Sequence, residues 1–153
     1  MAKVSIMNSD LSQIFQGADS VNNVYLLTNK EAEEIWKEYI DKTASSYFHL
    51  NDNSWLVKNE YNEIGEWLKY YNSGEYNKVG EILKGSYDWK FEDRIYFCFS
   101  KVICIESKWG QFIINWDKFL EIDDDCPIVI NKSPKNNEAL IFTPLGVMIH
   151  VRK

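Results

Sequence analysis

SKWGQFIINWDKFL, residues 107–120, admits two readings, and the choice between them sets the fold. Taken alone, Gln111 to Trp116 has the aromatic and β-branched character of a strand. Across the whole stretch, Trp109, Phe112, Ile113, Trp116, Phe119 and Leu120 fall at offsets 0, 3, 4, 7, 10 and 11, which is one stripe of a helix. The longer period decides for a helix over Ser107 to Leu120, with Ser107 as candidate N-cap. Its largest side chains then share one face and need a sheet or helix to cover them.

Working outward, the flanks supply that sheet. Arg94 to Phe99 and Val102 to Glu106 are rich in β-branched and aromatic residues and are joined around Ser100 and Lys101, the pattern of a hairpin. After the helix, Ile128 to Asn131, Ala139 to Phe142 and Val147 to Val151 read as short strands, separated by turns at Ser133-Pro134 and Pro144-Leu145-Gly146. The N-terminal half is mainly helical. Thr28 and Glu31 form a capping box ahead of Ala32, Ile35, Trp36, Tyr39 and Ile40 at helical spacing, with an end near Lys42. A second helix is expected from about Tyr61 to Tyr71, stopping at Gly74, and a third carries Tyr76, Val79, Ile82 and Leu83 up to Gly85. Tyr47 to Val57 reads as a loop packed on the core, and Val24 to Leu27 as a short extended segment. The expected fold is α+β: an antiparallel sheet of about five strands, mainly C-terminal, packed against N-terminal helices and one inserted helix.

Composition narrows the class. With 153 residues, 45% hydrophobic and 15% aromatic, the chain suits one domain over 1–153 with a substantial core. No signal-peptide pattern opens it, and no apolar run approaches the roughly 20 residues of a membrane span, so the expected compartment is the cytoplasm. Cys98, Cys104 and Cys126 are odd in number and lack metal-ligand spacing, which predicts reduced, partly buried thiols. A net charge of −6 repels phosphate backbones and favours basic partners, so direct nucleic-acid binding and membrane contact are not expected.

A catalytic constellation is missing from the sequence, and the protein is read as no enzyme. His49 and His150 are the two imidazoles available as bases. His150 alternates with Ile149 and Val151, which points it to solvent or a polar face of the sheet, and His49 reads as structural or interfacial. An enzyme pairing either with a carboxylate is the weakest of the readings. Cys98 and Cys104 approach each other across the expected hairpin, with core packing the better reading. No cofactor fingerprint occurs, and Asp123-Asp124-Asp125 lacks the alternating ligand spacing of a calcium loop, so neither cofactor nor metal is expected.

Trp36, Trp67, Trp109 and Trp116 lie on apolar helical stripes and belong to the core, whereas Trp55 and Trp89 lie in connecting segments. The strongest polar feature is Asp117 to Asp125: Asp117, Glu121, Asp123, Asp124 and Asp125 against Lys118 alone, a local charge of −4. Carboxylates at a helix C-terminus oppose its dipole, so helix stability does not explain them. Asp123, Asp124 and Asp125 are therefore the first candidates for a partner surface, with Glu121 and Trp89 after them.

Ile95-Tyr96-Phe97-Cys98, Ile105-Glu106-Ser107, Trp109-Gly110, Phe112, Trp116, Phe119-Leu120 and Asp123-Asp124 resemble a family of small bacterial proteins that includes or adjoins the immunity proteins of contact-dependent growth inhibition systems. The resemblance covers about residues 94–153 and consists mostly of core aromatics. It implies an antidote that binds the C-terminal toxin domain of a delivered effector, often a basic nuclease, and occludes its active-site or substrate-binding surface. The alternative is a small acidic adaptor or nucleic-acid-mimicking regulator of a host enzyme.

Overall fold

The computed structural model describes residues 3–122, 126–132 and 138–153. The turn expected at Ser133-Pro134 lies outside them. The fold is α+β, and among the described residues eight strands form one antiparallel sheet, where about five were expected. In chain order they are β1 (Val4–Ser5), β2 (Tyr25–Leu26), β3 (Tyr61–Glu66), β4 (Arg94–Cys98), β5 (Cys104–Lys108), β6 (Ile128–Asn131), β7 (Glu138–Phe142) and β8 (Val147–Arg152). The helices are α1 (Asn29–Tyr39), α2 (Trp55–Lys58), α3 (Trp67–Ser73), α4 (Tyr76–Ser86) and α5 (Trp109–Leu120). Across the sheet the strands run β1-β2-β5-β4-β6-β7-β8-β3, so the N-terminal half contributes strands to both edges.

The strand alternation divides the interior in two. Ile95, Phe97, Ile105, Val129, Leu140, Phe142 and Met148 face a core shared with α4 and α5. The intervening Tyr96, Cys98, Cys104, Ile128, Ile130, Ala139 and Ile141 face a second core under Ala32 and Trp36 of α1 and Leu56 of α2. Both faces are thus covered, and the central strands read as nearly unbroken apolar runs. The same arrangement corrects the placement of His150. Its side chain is buried beside Glu138, with its ring centroid 4.4 Å from that of Tyr87.

Helix α5 follows the longer period. Its Trp109, Phe112, Trp116 and Phe119 are each no more than 1% exposed. Phe112 packs on Phe97 at 5.5 Å between centroids, and Trp116 stacks on Phe142 at 6.4 Å. The N-cap is Lys108, not Ser107; Ser107 ends up buried on β5, where pairing with Ile95 claims it for the ladder. A kink at Asn115 (φ −114°, ψ 18°) lets its side chain accept from the backbone N–H of Asp19 and donate to the carbonyl of Asp19, tying the N-terminal segment to α5.

In α1 the Thr28–Glu31 capping box forms in both directions, and the helix ends at Tyr39. The helix expected from Tyr61 to Tyr71 forms only from Trp67. Residues 61–66 instead pair with β8, from Tyr61↔Val151 to Glu66↔Val147, with an irregularity between Glu63 and Gly65. An open strand edge outweighs a local helical period here. At that bulge Gly65 packs closely, since a Cβ would lie 2.9 Å from Ile82 Cδ1 and 3.2 Å from Met148 Cε, and these side-chain ends would have to shift to admit one. Tyr47 to Val57, expected as a loop, contains a 3₁₀ turn at Tyr47–His49 and the start of α2.

Replacing Trp116 by Ala removes a fully buried indole and the hydrogen bond its Nε1 donates to the carbonyl of Tyr76. The expected loss is about 3 to 5 kcal/mol of stability, measurable as a lower midpoint in urea unfolding. A loss below about 1 kcal/mol contradicts the packing role.

Candidate partner-binding surface

Near the C-terminal end of α5 the chain builds a groove of about 340 Å³, lined by Trp67, Leu68, Tyr71, Asn72, Leu120 and Glu121. One wall is α3, which has no side-chain N-cap. Its first orphan donors are satisfied by the turn between β7 and β8 instead. The backbone N–H groups of Trp67 and Leu68 both donate to the carbonyl of Gly146, at 2.8 and 3.2 Å. The Trp67 indole donates to the carbonyl of Thr143 at 3.0 Å. Gly146 has φ +92°, and a Cβ there would come within 2.8 Å of Leu68 Cβ, so conformation and close approach both demand glycine. Leu145 at the tip of this turn is 88% exposed, and Leu68 is 38% exposed.

The other wall is the last turn of α5. Tyr71 bridges the two, its hydroxyl donating to Glu121 Oε1 at 2.9 Å. Its ring lies 6.3 Å from Trp116 and 6.1 Å from Tyr76, continuous with the core aromatics. Desolvation, then the hydrogen bond and charge of Glu121, with smaller contributions from Tyr76 and Asp117, push the phenol up to about 12. Asp117 is buried, and that burial raises its carboxyl above the ordinary value of 3.8 against the pull of Lys118. None of the six lining residues is basic. The groove therefore offers apolar and aromatic walls with a negative rim, a combination that accepts a cationic side chain with an apolar stem.

Of the residues expected at a partner surface, Glu121 lies in this groove as the C-cap of α5. Asp123, Asp124 and Asp125 lie outside the described residues. Trp89 is placed elsewhere: half-buried, with its ring 4.5 Å from Tyr87 and 4.8 Å from Trp109, it extends the core instead of standing free as an anchor. Tyr71, Leu68 and Leu145 were not singled out by sequence. The helical period marks Tyr71 as core, and the pairing that brings the Pro144-Leu145-Gly146 turn to α3 is not local.

A second groove of about 350 Å³ lies beside the start of α5, lined by residues that include Lys84, Phe91, Glu92 and Lys108, and it lacks the net negative rim of the first. His49 is exposed, with Nδ1 2.8 Å from Ser46 Oγ. His150 Nε2 lies 3.7 Å from Glu138 Oε1, and burial lowers its imidazole below the ordinary 6.5, opposed by the charge of Glu138 and reinforced by Arg152. Among the described residues no three His, Cys, Asp or Glu side chains gather as metal ligands, and no helix is long and apolar enough to cross a membrane.

The lowered imidazole has a definite sign in stability. Above 6.5 His150 is neutral in folded and unfolded chains alike; below it the unfolded chain takes up the proton more readily, so stability is lost as pH falls through that value. His150→Gln is expected to flatten this loss in urea midpoints measured from pH 7.5 down through about 6.5. Asp117 acts in the opposite sense from 3.8 upward, so the variant and the unaltered chain are compared at each pH. Parallel curves for the two proteins contradict the assignment.

A family profile described as "Protein of unknown function (DUF2947)" matches residues 9–149. No curated protein and no solved structure matches the chain. The profile spans nearly all of the chain, which therefore belongs to the DUF2947 family.

Proposed function

We propose that this DUF2947 member is a non-catalytic binding protein of the cytoplasm that neutralises a basic protein partner by occlusion, with a toxin nuclease as the partner class. The observation that carries the reading is the acid-rimmed aromatic groove formed by Trp67, Leu68, Tyr71 and Glu121. Tyrosine and tryptophan supply contact area at low conformational cost and are over-represented among the residues that dominate binding energies. Leu68 and Leu145 beside them add exposed apolar surface. Glu121 is followed directly in the sequence by Ile122 and then Asp123, Asp124 and Asp125, which extend the run of negative charge.

Charge and shape then divide the work. A net charge of −6 attracts a basic cleft over the range of the Debye length, about 10 Å at 0.1 M salt, and speeds encounter. Affinity requires desolvated contacts, and a stable interface buries about 1,600 Å² in total, far more than this groove alone. The groove is accordingly an anchor inside a larger face. Occlusion needs no proton transfer, so the burial of His150 and the exposed position of His49 are compatible with it.

The test is a search of the neighbouring genes for an effector toxin domain, followed by association kinetics with that domain across a salt series. Replacing Asp123, Asp124 and Asp125 together by Asn, or Glu121 by Gln, is expected to slow association at low salt and to reduce its salt dependence. Leu68→Ala is expected to speed dissociation instead. An association rate unchanged at low salt in both charge variants removes this surface from the interface, and a toxin domain that the folded protein does not bind removes the immunity reading.

A further inference from the structure

Three thiols, Cys98, Cys104 and Cys126, are buried in the core under α1, and the groove makes no use of them. Cys98 and Cys104 are directly opposed across the β4–β5 hairpin. The next pair towards the turn is hydrogen-bonded, with the N–H of Phe99 donating to the carbonyl of Ile103 at 3.0 Å. Since bonded and non-bonded pairs alternate along an antiparallel ladder, Cys98 and Cys104 occupy a non-hydrogen-bonded pair, where side chains approach most closely. Their sulfurs are 3.1 Å apart, one thiol donating to the other. Opposed Cα positions at such a pair fall within the span a disulfide bridges.

We infer that Cys98 and Cys104 form a modification site, closing into a cross-strand disulfide when the hairpin assembles in the presence of a low-molecular-weight disulfide oxidant. One cysteine thiolate attacks a sulfur of oxidised glutathione and releases one glutathione thiolate. The second attacks the resulting mixed disulfide and releases the other. The protein loses two electrons and two protons, and one glutathione disulfide becomes two glutathione thiols.

Access decides when this happens. Both side chains are fully buried in the folded chain, and burial, with the neighbouring Cys98 and the charge of Glu106, raises the Cys104 thiol well above its ordinary value. The folded dithiol is thus a poor nucleophile shielded from oxidant, and the bond forms while the chain folds or when the hairpin opens. Cys126 shares the core, yet it precedes β6 and has no place in the β4–β5 ladder.

The experiment uses the full chain without substitution. Reduced, unfolded protein is refolded in a mixture of oxidised and reduced glutathione, then denatured and alkylated with iodoacetamide. Intact mass is expected to show one alkylated cysteine, against three in a refolding control with excess reductant. Trypsin cleaves at Lys101, between the two cysteines, so peptides 95–101 and 102–108 are expected as one linked species, with Cys126 alkylated in peptide 119–132. The oxidised protein is expected to keep the near-ultraviolet dichroism of the reduced one and to unfold at higher urea. Protein already folded in reduced form is expected to oxidise much more slowly. Three alkylated cysteines after refolding, a bridge that includes Cys126, or an oxidised product without native dichroism each overturns the inference.

Discussion

Each strand at the centre of this sheet serves two cores at once, and the rest of the molecule depends on that division. Along β4, Ile95 and Phe97 meet α5 while Tyr96 and Cys98 meet the layer under α1. A slip of one residue would exchange the two sets, sending phenyl rings into space shaped for thiols and alanine. The register is therefore held from both sides. It places Phe97 and Phe142 beneath α5, and so determines where that helix ends and its carboxylates begin.

The groove inherits its geometry from this core. Tyr71 reaches Glu121 because its ring is wedged against Trp116, itself stacked on Phe142 of β7. No side chain caps the N-terminus of α3, and the Gly146 carbonyl accepts from its first two N–H groups. Rigid aromatic packing behind and a backbone-capped helix in front keep the rim carboxylate in place. Such preorganisation lowers the ordering cost when a partner binds.

Much of this architecture was legible in the chain. The 3.6-residue period over Trp109 to Leu120 is long enough to outvote its strand-like middle, and Thr28 with Glu31 marks the start of α1 without ambiguity. What escaped reading depends on distant partners. Tyr61 to Glu66 carries a helical period yet becomes a strand because β8 lies open beside it. His150 alternates as a surface residue would, and it is Tyr87, at the end of α4, that packs over it. At the candidate surface, charge density points to Glu121, whereas the half-buried Trp89 packs against the core through Tyr87 and Trp109. Side-chain chemistry is visible in a sequence, and the juxtaposition of Leu145 with Leu68 is not.

The pairing of β3 with β8 also bears on synthesis. A ribosome releases β3 well before β8, the strand it pairs with among the described residues, and α3 waits for the Gly146 carbonyl just ahead of β8. A nascent chain can assemble the β4–β5 hairpin and seat α5, while the groove stays unformed until the β7–β8 hairpin has been made. Chains that stop short of β8 therefore lack the contacts that order β3 and the first turn of α3, and closing β3 on β8 is a long-range step of folding.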